Sequence, residues 1–98
     1  MTNAEFQSKL EAMYSVHPII TKKANKTFNE LVWVLRQDDV DYNISIPPCE
    51  GDMGWMCIPS IKKCFIPVRT LAKHVSKVEL YENDFECEEI CLTVWLED

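Results

Sequence analysis

The stretch FNELVWVLR, residues 28–36, decides the fold, because its secondary structure sets how many strands the sheet contains. Its five consecutive apolar residues, 31–35, and its valines and aromatics are typical of a short buried strand. The polar cluster QDDVD that follows is typical of a turn, and YNISI, residues 42–46, then alternates apolar and polar side chains. We therefore predict a β-hairpin over residues 28–46. A helix over residues 25–36 is the alternative, since a short apolar run fits either structure.

On the N-terminal side of this stretch, the sequence TNAEFQSKLEAMY predicts a helix. Thr2 can cap it, with Glu5 as the partner in a capping box. Pro18 ends it, because the residue before a proline is disfavoured in the helical region. Four apolar side chains recur at helical spacing and predict the buried stripe: Phe6, Leu10, Met13 and Tyr14.

On the C-terminal side, PPCEGDMG contains the only two glycines of the chain, Gly51 and Gly54, and predicts a tight loop. Prolines limit the two apolar runs that follow it to short or edge strands. RTLAKHVSKV predicts a second amphipathic helix, because its apolar residues are spaced i, i+4, i+7. The two short strands are WMCIP (55–59) and CFIPV (64–68), and the helix covers residues 69–78. A terminal strand is predicted at ICLTVWL (90–96).

Together these elements predict an α+β fold. We expect a small single domain over residues 1–98, with an antiparallel sheet of about four to six strands and two helices packed on one face.

The charge is distributed unevenly along the chain. Residues 1–46 carry six acids and five bases, residues 47–78 carry two acids and five bases, and the last twenty residues carry eight acids and no base. The net charge is −6. An acidic field repels the phosphate backbone, so we expect no direct binding of nucleic acid.

The acidic stretch YENDFECEE, residues 81–89, contains five carboxylates and no base. If the chain is extended there, alternate residues point to one side and form an acidic ridge, with Phe85 and Cys87 beneath it. The apolar alternation changes from odd to even positions before Ile90, so we predict a β-bulge or a break at Glu88–Glu89. If the stretch is helical instead, the acidic stripe consists of Glu79, Glu82, Glu86 and Glu89.

This ridge is a poor imitation of duplex DNA. Alternate residues of a strand are ~6.7 Å apart, whereas a duplex carries one charge per ~1.7 Å of its axis. A partner with a basic protein surface fits the ridge better. The alternative is that the acids only keep the protein soluble and block pairing between sheet edges.

Five cysteines, an odd number in a chain with enough apolar residues for a core, indicate reduced thiols and a cytoplasmic location. Free cysteine is commonly buried, so we expect core thiols. The alternative is a small metal- or thiol-dependent protein that uses Cys87, Cys91 and His74. No C-x2-C pair of the kind used by structural zinc sites is present, so we expect no cofactor. The cysteines are Cys49, Cys57, Cys64, Cys87 and Cys91.

The sequence contains no catalytic constellation. Cys57 or Cys64 could pair with His17 or His74, but no third group that would orient the histidine can be identified. Two glycines cannot build a phosphate-binding loop. No segment approaches the ~20 apolar residues of a membrane span, and the N-terminus lacks the features of a leader peptide. We therefore expect a soluble protein that is not an enzyme and does not bind a membrane.

A basic patch is a further alternative, because five lysines and arginines fall within residues 62–77, close to Phe65. The solvated face of the predicted helix over 69–78 explains Lys73 and Lys77 equally well.

In size, charge and lack of a catalytic motif, the chain resembles the small acidic inhibitors encoded by phages and mobile elements, of which anti-CRISPR proteins are the best-known class. The resemblance concerns the general character of the whole chain and implies no particular site residues. It implies a protein that binds a basic partner of the nucleic-acid-binding class and blocks or modulates it. A structural subunit with a solubilising acidic end is the alternative. The predicted partner-binding residues are Glu79, Glu82, Asp84, Glu86, Glu88 and Glu89, with Trp55 as an aromatic anchor.

Overall fold

The computed structural model describes residues 2–16, 26–48, 54–81 and 90–97. These residues form a small α+β domain with three helices and a four-stranded mixed sheet. None of these helices is long and apolar enough to cross a membrane. In chain order the elements are α1 (Asn3–Ser15), α2 (Phe28–Arg36), β1 (Tyr42–Ile46), β2 (Met56–Ile58), α3 (Val68–Leu71), β3 (His74–Leu80) and β4 (Ile90–Glu97).

Helix α1 begins at the capping box that the sequence predicts. The Thr2 hydroxyl accepts a hydrogen bond from the Glu5 amide at 3.2 Å, and the Glu5 carboxylate accepts one from the Thr2 amide at 3.4 Å. Both bonds satisfy amides that have no partner within the helix. The predicted stripe packs into the core, with Phe6, Leu10 and Tyr14 buried and Met13 partly buried.

Residues 28–36 form helix α2, so the predicted hairpin is wrong and the alternative is confirmed. The Thr27 hydroxyl accepts a hydrogen bond from the Glu30 amide and caps the helix. Four of the five buried residues follow the helical spacing i, i+3, i+4, i+7, and Val34 is the exception. The five are Phe28, Leu31, Val32, Val34 and Leu35.

The strand order is β2-β1-β4-β3. We predicted an antiparallel sheet, but the sheet is mixed. β1 is antiparallel to β2, and β4 is antiparallel to β3, but β1 and β4 are parallel. A parallel pair needs a long connection between its strands. The chain between Ile46 and Ile90 supplies one, and β2, α3 and β3 lie within it.

One face of the sheet carries the core. Tyr42, Ile44 and Ile46 of β1 alternate with polar residues and are buried against α1 and α2. The ring centroids of Phe6 and Tyr42 are 6.3 Å apart at an interplanar angle of 60°. β4 contributes Leu92, Val94 and Leu96 to the same cluster.

The predicted helix over residues 69–78 is wrong. Only one helical turn forms, Val68–Leu71, and β3 follows from His74 to Leu80. A β-bulge between Val75 and Lys77 explains why the sequence resembles a helix. Its extra residue shifts the register of β3 against β4. Val75 and Val78 can therefore both pack against the core although they are three residues apart. In the sequence, that spacing is the same as the spacing of a helix face.

Of the two predicted short strands, WMCIP contains β2, but CFIPV is not a strand. Residues 59–67 instead form a loop between β2 and α3, anchored by Ile61 and Ile66, which are 0% and 4% exposed. Arg36 at the end of α2 holds this loop, because its side chain donates hydrogen bonds to the Ile61 and Cys64 carbonyls at 2.8 and 3.4 Å.

The outer edge of β3 is covered by polar side chains of α1. The Asn3 side-chain oxygen accepts a hydrogen bond from the Leu80 amide at 3.1 Å, and the Gln7 amide group donates one to the Val78 carbonyl at 2.5 Å. Unpaired backbone groups at a sheet edge favour pairing with another chain. These two bonds therefore oppose aggregation at this edge.

Several predictions lie outside the described residues. They are the tight turn at Gly51, the bulge at Glu88–Glu89 and the positions of Phe85 and Cys87 beneath an acidic ridge. Gly54, at the end of the predicted loop, is described and has a φ of 110°, a conformation that favours glycine.

Candidate functional site

A groove of about 380 Å³ lies at the end of the sheet where β1 and β4 finish and β2 begins. Its size is within the range of ligand-binding pockets. Trp55, the predicted anchor, lies in its wall and is 65% exposed. The described lining residues are Ile46, Pro47, Pro48, Gly54, Trp55, Met56, Arg69, Thr70, Lys73 and Leu96.

One wall of the groove comes from α3 and the residues that follow it. Thr70 is 5% exposed and fixes this turn against the body of the protein. The backbone at Lys73 is held by a hydrogen bond from the Phe28 amide to the Lys73 carbonyl at 2.8 Å. A second bond runs from the Val75 amide to the Lys26 carbonyl at 2.9 Å. These bonds fix the backbone of this wall.

The groove is basic and apolar. Arg69 and Lys73 line it, and none of its described lining residues is acidic. Glu50 and Asp52 fall between Pro48 and Gly54 in sequence and lie outside the described residues. The apolar lining includes Trp55, two prolines and an isoleucine, a methionine and a leucine.

The predicted acidic site is described only at Glu79. This residue lies in β3, and its carboxylate is 2.8 Å from the Lys77 ammonium group, which also lies 5.0 Å from the centre of the Trp95 ring. Glu79 therefore already forms an ion pair with Lys77. The other five predicted carboxylates, Glu82, Asp84, Glu86, Glu88 and Glu89, lie outside the described residues.

The described part of the chain is neutral, because it contains eight acids and eight bases. The eight acids and two bases outside it account for the whole net charge of −6. Five of these acids fall between the end of β3 and the start of β4. Five of the eight acids outside the described residues thus fall in one segment, residues 81–89, which we call the acidic connection.

The groove and the end of β3, after which the acidic connection begins, are at opposite corners of the sheet. Trp55 precedes Met56, which pairs with Ile46, whereas the Tyr81 amide bonds to Cys91, whose partner in β1 is Asn43. Four residue steps of ~3.3 Å and three strand spacings of ~4.8 Å separate Trp55 from Tyr81 by about 20 Å. The structure therefore does not bring Trp55 next to Glu79 and the start of the acidic stretch.

The predicted metal or thiol site is not assembled from the residues named for it. His74 pairs with Glu97, six residues along β4 from Cys91, which is a distance of about 20 Å. One ion cannot bind both. Among the described residues there is no group of three side chains that could hold a metal ion, and Cys87 lies outside them.

The thiols are also less buried than predicted. Cys57 is exposed on β2, and Cys64 and Cys91 are half-buried. Cys57 and His74 lie on strands at opposite edges of the sheet, so at least ~14 Å separates their backbones and they cannot act as a nucleophile and its base. His17 lies outside the described residues.

Asp41 ties the loop after β2 to the start of β1. Its carboxylate accepts hydrogen bonds from the Ser60 hydroxyl and from the backbone amides of Tyr42 and Lys62, the last two at 2.9 and 3.3 Å. The Ser60 bond is the main reason why the pKa of Asp41 is below its usual value. Asp41 therefore has a structural role.

Phe65, named from the sequence only beside the alternative basic patch, is an exposed aromatic. Its side chain is 87% exposed, and Val68, three residues on at the start of α3, is 76% exposed. These two apolar side chains, at the end of a loop held by Arg36 and the start of α3, are candidates for contact with a partner. A sequence pattern could not reveal them, because apolar residues in a short run usually indicate burial.

The fold and these surfaces define a small mixed-sheet α+β domain with exposed aromatic side chains. Comparisons with protein-family models, curated proteins and solved structures found no match to this chain.

Proposed function

We propose that this chain is a non-enzymatic interaction protein that binds a basic partner protein through its acidic connection. The observation that carries the proposal is the placement of charge. The described scaffold is neutral, and five carboxylates without a base fall between β3 and β4. Charge that only keeps a protein soluble can be spread over the whole surface. A binding surface requires its charge in one place.

A partner that itself binds nucleic acid has the basic surface that this connection complements. Carboxylates steer such a partner during its approach and raise the association rate at low salt. Occupation of that basic surface then blocks or modulates the nucleic-acid binding of the partner. This mode of action agrees with the general character of the small acidic inhibitors of phages and mobile elements.

Trp55 is the aromatic anchor in this proposal. A tryptophan at an interface centre often supplies much of the binding energy. An interface of standard size covers about 800 Å² on each partner, which corresponds to a patch about 30 Å across. A single partner can therefore span the distance of about 20 Å between Trp55 and Tyr81, where the acidic connection begins.

The test begins with crosslinking and pull-down from the native host to identify the partner. Association is then measured by biolayer interferometry with the Asp84→Lys/Glu86→Lys variant. The matched control is Glu11→Lys/Asp39→Lys, which makes the same change in net charge at two exposed positions elsewhere. We expect the association rate at low salt to fall about tenfold in the first variant and by much less in the control. Equal rates for the two variants would reject the proposal.

A further inference from the structure

We propose that the groove at Trp55 and Arg69 binds an acidic peptide segment of a partner protein. In this arrangement an apolar side chain of the peptide packs on Trp55, and its carboxylates approach Arg69. The groove shares Trp55 with the proposed interface, so the acidic segment belongs to the same partner, and the groove prefers the opposite charge from the acidic connection. The chain would then have two binding surfaces of opposite sign.

The shape of the groove suits a peptide. It is open on one side, and its lining includes an exposed tryptophan together with Pro47 and Pro48. An extended peptide can lie along an open groove and present alternate side chains to it. Affinity in such grooves usually depends on one or two aromatic or aliphatic anchors that are desolvated on binding.

The charge of the groove selects an acidic ligand. Arg69 and Lys73 are the bases among the described lining residues, and none of these residues is acidic. Arg69 is exposed on the short helix α3 and lines the groove together with Trp55. A guanidinium group can bind a carboxylate through two parallel hydrogen bonds, which gives geometric specificity in addition to attraction.

A peptide is favoured over nucleic acid as the ligand. If the five bases of residues 54–78 are set aside, the rest of the chain carries sixteen acids and five bases. A nucleic acid strand is charged along its whole length and would extend from the groove into that acidic field. A short acidic peptide places its charge only within the groove.

The experiment uses the full chain and a short fluorescein-labelled peptide in which glutamate alternates with phenylalanine and leucine. Binding is measured by fluorescence anisotropy at low and at physiological salt. The test variants are Trp55→Ala, Arg69→Glu and the milder Arg69→Gln. The matched controls are Phe65→Ala, an exposed aromatic outside the groove, and Lys63→Glu, an exposed base outside it. Circular dichroism verifies that each variant is folded.

We expect Trp55→Ala and Arg69→Glu each to weaken the peptide about tenfold, with Arg69→Gln intermediate and both controls within about twofold of the native chain. The Asp84→Lys/Glu86→Lys variant should bind the peptide at least as well as the native chain, so this proposal and the proposed function fail independently.

Four outcomes would overturn the inference. They are the absence of peptide binding, an equal loss in the control variants, stronger binding of a single-stranded oligonucleotide than of the peptide, and stronger binding of a lysine-containing version of the peptide. Self-association that disappears in Trp55→Ala, measured by sedimentation velocity, would show that a second copy of the chain occupies the groove, and it would also overturn the inference.

Discussion

Two neighbouring residues of the loop after β2 give a sharp test of the structure, because replacing the larger side chain should reduce the free energy of unfolding less. Ile66 is 4% exposed and Phe65 is 87% exposed. Replacing isoleucine by alanine removes three carbon atoms, about 2.4 kcal/mol of transfer free energy at about 0.8 kcal/mol per carbon. The cavity left behind raises the expected loss for Ile66→Ala to about 3–4 kcal/mol.

For Phe65→Ala the expected loss is small. Full burial of a phenylalanine is worth up to about 3 kcal/mol, and only the covered seventh or so of this side chain can contribute, or about 0.4 kcal/mol. Hydrophobicity alone gives the opposite ranking, since Phe→Ala in a core costs about 3–5 kcal/mol.

The assay is urea unfolding followed by tryptophan fluorescence and far-UV circular dichroism, with the slope of free energy against denaturant compared among variants. For a domain of this length, the melting temperature of Ile66→Ala should fall by about 12–20 °C, and that of Phe65→Ala by about 2 °C. A Phe65→Ala variant as unstable as Ile66→Ala would refute the burial pattern of this loop. The predicted strand at CFIPV with Phe65 inward would then regain support.

Three further predictions concern polar groups and thiols. Because hydrogen bonds lower the pKa of Asp41, its stabilising contribution is present above the usual aspartate value of 3.8 and is lost as the pH falls below it. The unfolding free energy of the native chain should therefore decrease more steeply below pH 3.8 than that of Asp41→Asn, and parallel curves would contradict this. Cys57 should react with iodoacetamide before Cys64, as peptide mapping by mass spectrometry can show; the reverse order would contradict the exposure of β2. Gln7→Ala removes the hydrogen bond to Val78, so the free energy of unfolding should fall by about 1 kcal/mol. Aggregation followed by light scattering should become faster. If neither quantity changes, this bond does not protect the edge of the sheet.

The elements that could be predicted from sequence are those specified by local signals. The Thr2 capping box marks the start of α1, and the strict alternation in residues 42–46 and 90–96 marks β1 and β4. Such signals act over a few residues and do not depend on what packs against them. The α+β class follows from these elements alone.

The errors arose where tertiary contacts decide between local alternatives. Residues 28–36 contain two valines and two aromatic residues, which favour a strand, but the face that they bury as a helix packs into the core, and this packing outweighs the small differences in intrinsic propensity. In β3, the bulge between Val75 and Lys77 gives a strand the apolar spacing of a helix. The parallel pairing of β1 with β4 joins strands far apart in sequence, which no local pattern specifies.

The candidate site was only partly accessible to sequence reasoning. Trp55 was named from its glycine-containing loop, and the structure places it in a groove. Arg69 and Lys73 fall within the predicted helix over 69–78, of which only the turn Val68–Leu71 forms, so their place in one groove with Trp55 could not be anticipated. The groove requires the ends of three strands and the turn of α3, which come together only in the folded chain.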